Sequence, residues 1–165
     1  GFTPEREADT VSKIDMASRR LVKTVSFPAR SKPHMLRVSP DGKEVWVQTG
    51  EANTNVVLDA SDLSVLSTEP TGKQPVTNAW TGDRRYSILT NGQDTFAQIF
   101  DARTFKEVKR LTIGEGGANI GFSRDGRTAF IAVRGANDVA VIDVGTLALA
   151  SRIRAGTEPQ GLIVR

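Results

Sequence analysis

The chain has 165 residues, of which 38% are hydrophobic and 15 are glycine, and it carries a net charge of +3. That is one domain's worth of chain, long enough to bury ~70% of its unfolded surface without a covalent staple. The absence of cysteine excludes a disulfide scaffold, a thiol nucleophile and Cys-type zinc or iron–sulfur sites. The single histidine, His34, excludes any site needing two imidazoles from one chain. No stretch approaches the ~18 apolar residues of a membrane span, and Gly1 to Glu7 shows no signal-peptide or leader pattern.

The charge is uneven. Residues 1–43 carry nine Lys/Arg and five Asp/Glu, whereas residues 44–165 carry thirteen and fourteen. This basic edge reads as a solvated face, the alternative being a surface that favours an acidic partner. No basic run is dense enough for a nucleic-acid arm, so no nucleic-acid partner is expected.

Taken in chain order, one phrase recurs. It reads Ile14-Asp15-Met16-Ala17-Ser18, Leu58-Asp59-Ala60-Ser61-Asp62, Phe100-Asp101-Ala102-Arg103-Thr104 and Ile142-Asp143-Val144-Gly145-Thr146, with aspartates 44, 42 and 42 residues apart. A second phrase keeps step: Ser39-Pro40-Asp41-Gly42, Trp80-Thr81-Gly82-Asp83 and Ser123-Arg124-Asp125-Gly126. A third is the approach to a proline at Lys32-Pro33, Gln74-Pro75 and Glu158-Pro159, with Gly117-Ala118 in the third slot. Within the best-defined unit, Met35 to Val38 is the first strand and Asp41-Gly42 the hairpin turn, since both residues tolerate positive φ. Val45-Trp46-Val47 follows as a β-branched and aromatic second strand. Val56-Val57-Leu58 is the third, ending at a corner fixed by Asp59, and Leu63 to Thr68 is the fourth. No window has sustained helical periodicity, so the chain is expected to be all-β. Four-stranded units of this period are the blades of a propeller, whose faces are buried only by neighbouring blades.

Val45-Trp46-Val47-Gln48-Thr49, Ile88-Leu89-Thr90-Asn91 and Phe130-Ile131-Ala132-Val133 look like variants of Tyr-Val-Thr-Asn. With Ser-Pro-Asp-Gly before and Val-Ile-Asp after, the pattern resembles the YVTN-type β-propeller repeat over essentially the whole chain. The second unit departs most, with Thr81-Gly82-Asp83 in place of Pro-Asp-Gly. The resemblance implies a periplasmic or extracellular location. It also implies kinship with binding scaffolds, surface-layer proteins, lactonases and the haem d1 domain of nitrite reductase.

The expected organisation is a single propeller domain over 1–165, with blade units at about 1–30, 31–72, 73–115 and 116–156. Gly1 lies fourteen residues before Asp15, as Val45 does before Asp59, so the chain opens on a second strand. Pro159 to Val164 matches Pro33 to Val38, so residues 157–165 are expected to complete the first blade. Leu162-Ile163-Val164 would then pair with the strand around Thr10 to Ile14 or with Gly1 to Thr3. Two readings stay open: four blades closing as a small ring, or part of a larger ring. In the second, apolar blade faces such as Val45, Val47, Val56 and Leu58, or Ile131, Val133, Val139 and Val141, require a homodimer or docking into a larger propeller.

The candidate binding residues are those placed by register at the mouth of the first strands. His34, Val76, Asn119 and Gln160 occupy one ring position, and Lys32, Gln74, Gly117 and Glu158 the ring outside it, with Lys73, Asn53 and Arg134 nearby. The binding set is therefore Lys32, His34, Lys73, Asn119, Arg134 and Gln160. Imidazole is the one group here suited to haem ligation or a proton shuttle. Gly114-Glu115-Gly116-Gly117 lacks the helix and the Lys-Ser/Thr ending of a phosphate loop and reads as an inter-blade crossing. The repeated aspartates read as turn caps, and Trp46, Trp80 and Phe130 as inter-blade packing. No nucleophile elbow is present. The leading function is a non-catalytic scaffold with no cofactor, binding a protein or small ligand on its loop-rich face. The alternative is an enzyme or redox subunit, either a lactonase-like hydrolase or a haem-associated propeller using His34.

Overall fold

The computed structural model describes residues 1–165 and contains strands and turns only. Fifteen strands form four antiparallel sheets in sequence order. The first has three strands, β1 (Phe2–Glu5), β2 (Thr10–Asp15) and β3 (Arg20–Ser26). The second has four, β4 (Pro33–Val38), β5 (Glu44–Thr49), β6 (Thr54–Asp59) and β7 (Val65–Pro70). The third comprises β8 (Pro75–Trp80), β9 (Tyr86–Asn91), β10 (Phe96–Asp101) and β11 (Glu107–Thr112). The fourth comprises β12 (Gly117–Phe122), β13 (Thr128–Val133), β14 (Asp138–Asp143) and β15 (Ala148–Arg154). β1, β4, β8 and β12 lie side by side in turn, so the sheets succeed one another as blades around a common inner edge. No helix is long and apolar enough to cross a membrane.

Local chemistry explains the turns. Asp15, Asp59, Asp101 and Asp143 accept hydrogen bonds from backbone N–H groups two or three residues on, at Ser18, Ser61, Thr104 and Thr146. Hydrogen bonds from these neighbours hold all four carboxyls below the ordinary aspartate range. Four residues past each aspartate, Arg19, Leu63, Phe105 and Leu147 take positive φ. Leu63 therefore belongs to the turn and not to β7, and its side chain is buried in the core. The other hairpin turn places Gly42 at φ 79°, Gly126 at φ 70° and, in the slot where those two units have glycine, Arg84 at φ 60°.

Alternation along each strand sends its two faces to two different neighbours. Between the first and second blades, Val11 packs with Val45, Val47, Val56, Leu58 and Leu63. Trp46, Val57, Leu89 and Phe100 fill the junction of the second and third blades, with Trp80 and Phe105 against them. The third and fourth blades meet through Ile88, Ile99, Ile113, Ile120, Ile131, Val133 and Ile142. Trp46 and Trp80 thus pack between blades as expected. Phe130 does not: it pairs with Val141 on the opposite face of the fourth blade, where Val139 also lies beside Ala132. Val139 and Val141 therefore do not share a face with Ile131 and Val133.

The expected completion of the first blade by residues 157–165 is not what the chain does. The first sheet keeps three strands and nothing pairs with the free edge of β1. The C-terminal segment instead lies along β12: Asn119 N–H donates to Gln160 O at 3.3 Å. Val164 and Leu162 cover Gly121, where a Cβ would stand 2.9 Å from Val164 Cγ2. β12 offers unpaired backbone groups on its inner edge, and an apolar tail meets a glycine there without obstruction.

Candidate functional site

A left-handed residue precedes each inner strand and the C-terminal segment: Lys32 at φ 52°, Gln74 at 54° and Gly116 at 80° before β4, β8 and β12, and Glu158 at 50° before the tail. These lie 42 residues apart, so Gly116, not Gly117, belongs to this ring. In turn Ala118, not Asn119, matches His34 and Val76. Glycine hides the register in that unit because the other three use ordinary side chains at positive φ. The loops are fastened by side-chain acceptors from the preceding blade. Asp9 Oδ1 accepts from Lys32 N–H at 2.7 Å, Asn53 Oδ1 from Gln74 N–H at 2.9 Å and Asn137 Oδ1 from Glu158 N–H at 2.9 Å. The Lys32 backbone N–H is the largest cause holding Asp9 below its usual range.

Immediately inside, the pairing of each inner strand slips, between Pro33 and Met35, Pro75 and Thr77, and Gly117 and Ile120. Such a bulge re-aims a side chain. His34, Val76 and the Ala118–Asn119 pair sit at these slips, and all four line one cavity of about 680 Å³. The cavity draws on every blade. Arg6 comes from the first, Gly50 and Glu51 from the second, Gln74 to Thr77 from the third, Arg134 from the fourth, and Gln160 and Gly161 from the C-terminal segment. Three of its fourteen lining residues are hydrophobic, and none carries a benzene or indole ring.

Four of the six residues expected from sequence are thus brought together: His34, Asn119, Arg134 and Gln160. Lys32 and Lys73 are not. Lys32 turns to Glu7, with Nζ 3.0 Å from Oε2, and is neutralised there. Lys73 is exposed and its backbone N–H is committed to Asp94. Arg6 and Glu51 are the charged residues that sequence reasoning missed. The repeat held the signal for Arg6, which lies 44 residues before Gly50 as Asp15 lies 44 before Asp59. Glu51 faces Arg30 at 3.7 Å. No group of three His, Cys, Asp or Glu side chains comes together, and no Ser/His/Asp set surrounds His34.

No family profile and no curated protein matches the chain. Solved structures do. Hydrazine synthase of Kuenenia stuttgartiensis matches with a TM-score of 0.74 and 24% identity, over 82% of this chain and 39% of the other. A candidate 6-phosphogluconolactonase of Bacteroides uniformis matches with a TM-score of 0.78 and 17% identity, over 95% and 52%. Its counterpart from Bacteroides fragilis gives 0.74 and 17%, over 91% and 50%. The fold is a β-propeller. The chain spans about half the length of these two Bacteroides proteins and less of the synthase.

Proposed function

We propose that this propeller segment is a non-catalytic binding module that seats a small polar ligand, or a polar loop of a protein partner, in the cavity at the mouth of its inner strands. One observation carries the reading: the cavity of about 680 Å³ is lined by residues of all four blades, and eight of its fourteen lining residues have polar or charged side chains. That volume suits a small-molecule site. The polar groups converge without the nucleophile, base and orienting group that acyl transfer requires. His34 is exposed, and the lining offers no apolar slot to enclose a porphyrin, so the residues present do not fit haem. A periplasmic or cell-surface setting and the YVTN-type repeat remain part of the proposal, on the strength of the sequence resemblance.

The second reading is a lactonase-like hydrolase, favoured by the two Bacteroides neighbours named as candidate 6-phosphogluconolactonases. One experiment separates the two. The chain is mixed with sugar lactones, sugars and sugar acids, while acid release and amide chemical shifts are followed together. The binding reading expects shifts at His34, Asn119 and Gln160 with no acid release above the uncatalysed rate. Turnover lost in His34→Ala or Arg134→Ala would overturn it in favour of the hydrolase.

A further inference from the structure

We propose that the cavity is an oxyanion site, in which Arg6 and Arg134 hold a phosphate or carboxylate group of a small molecule; this rests on the cavity being the ligand site. Arg6, Gly50, Gly92 and Arg134 occupy one position in four successive repeat units, 44, 42 and 42 residues apart. Hydrogen bonding confirms the register for three of them: Gly50 N–H donates to Lys32 O, Gly92 N–H to Gln74 O and Arg134 N–H to Gly116 O. The two end blades therefore carry guanidinium arms, and the two middle blades carry no side chain at that position.

The charges agree. Arg6 and Arg134 are the arginines of the lining and Glu51 its one carboxylate, itself engaged by Arg30. The remaining polar side chains include the amides of Gln74, Asn119 and Gln160, which donate as readily as they accept. Arg134 is also held in place. Its Nη2 donates to Gly92 O at 3.1 Å, across the junction of the third and fourth blades. Its Nε is buried and has no partner. A half-buried guanidinium fixed in this way loses little freedom on binding, and its planar fork matches an oxyanion better than a neutral hydroxyl. Gly92 makes the arm possible: a Cβ there would stand 2.9 Å from Arg134 Nη2 and 3.0 Å from Val76 Cγ2.

The test is calorimetric and NMR titration of the chain with pyrophosphate, citrate and glucose at low and physiological ionic strength. Pyrophosphate or citrate should bind more tightly than glucose, weaken with added salt, and shift the signals of Arg6, Arg134 and Asn119. Whichever of the two anions binds more tightly identifies phosphate or carboxylate as the group held. Arg6→Gln and Arg134→Gln should each weaken the anion by about tenfold or more. Gly92→Ala should weaken it as well, by displacing the Arg134 arm, with the melting transition retained. Arg124→Gln removes the same charge from a turn at the far end of β12 and should leave binding unchanged. Equal loss in Arg124→Gln and Arg134→Gln would show general charge attraction and overturn the proposal. If glucose alone shifts His34 and Asn119, the oxyanion assignment falls while the cavity stands. If no probe shifts any lining residue, both fall.

Discussion

The second and third blades meet through rings and amides, whereas the third and fourth meet through aliphatic side chains. At the first junction Trp46 stands edge-on to Trp80, Phe100 and Phe105, with ring centroids 5.7, 6.2 and 5.9 Å away. Beside it Gln48 donates to Asn55 and Asn78, and Asn78 donates to Ser87. Gln98 accepts from Gly72 N–H and donates to Pro70 O and Glu107. Lys106 reaches Glu69 across the same junction at 2.6 Å. Trp46 Nε1, Gln48 Oε1, Asn55 Nδ2 and Asn91 Oδ1 nevertheless stay buried without partners there. The second junction is a cluster of Ile, Val, Leu and Ala, with one ion pair, Arg152 to Asp138 at 3.0 Å, at its margin. Aliphatic faces tolerate small slips between blades, but an amide network is satisfied in one register only. Positional specificity therefore resides at the second–third junction and plain cohesion at the third–fourth.

The largest effect is expected from Trp46→Ala, which empties the ring cluster and should cost about 3–5 kcal/mol by denaturant titration. Ile131→Ala, at the aliphatic junction, should cost about 2–4 kcal/mol with an unchanged m-value. A change in m for Ile131→Ala and none for Trp46→Ala would reverse the two roles. Gln98→Ala leaves the buried Gly72 N–H without its acceptor and should cost about 2–3 kcal/mol. A cost below about 0.5 kcal/mol would show that water replaces the amide and that the network specifies nothing.

Acid distinguishes the junctions directly. Burial acts to raise the Glu69 and Glu107 carboxyls, but hydrogen bonds from Lys106 and Ser67, and from Arg110 and Gln98, outweigh it and hold both below the ordinary glutamate range. A depressed folded pKa stabilises the fold above the unfolded value, ~4.3 for glutamate, and that contribution is lost as pH falls through the folded value. Hydrogen exchange compared at about pH 6 and below about pH 4 should therefore show Gly72 and Leu89 losing protection before Ile131 and Ile142. Simultaneous loss would mean the junctions open together. Arg152→Met leaves the buried Asp138 carboxylate and the Ile113 carbonyl without their donor and should cost about 1–3 kcal/mol by denaturant titration. Smallest is Arg84→Gly, which removes a side chain from φ 60° and should raise stability by about 0.5 kcal/mol in a thermal melt.

The all-β class, the strand order within each blade and the turns were legible in the sequence because each rests on interactions within a few residues. An Asp–Gly hairpin or an aspartate accepting from the next corner needs no distant partner. The recurrence of Asp15, Asp59, Asp101 and Asp143 then made four blades arithmetic. His34, Asn119, Arg134 and Gln160 were reachable the same way, through position in the repeat. What lay outside that logic depended on contacts through space. Lys32 shares the repeat position of the mouth, but Glu7 holds its ammonium away from the cavity. The slip of one residue at Gly116 was invisible because glycine takes positive φ without leaving a mark in the side-chain pattern.

By itself, then, the sequence determined an all-β chain of four repeats and the identity of the turn residues, because period and turn chemistry are properties of neighbouring positions. Only the tertiary structure decided which faces meet, that the tail from Gln160 to Val164 lies along β12 and not β1, and that Arg6 shares a cavity with Arg134. The bulges at the inner strands set where His34 and Asn119 point, and the blade-to-blade packing sets which charges are neutralised. Both are decided by groups that the fold brings together across strands and blades, as with Lys32 and Glu7, 25 residues apart in the chain, or Arg6 and Arg134 on the wall of one cavity.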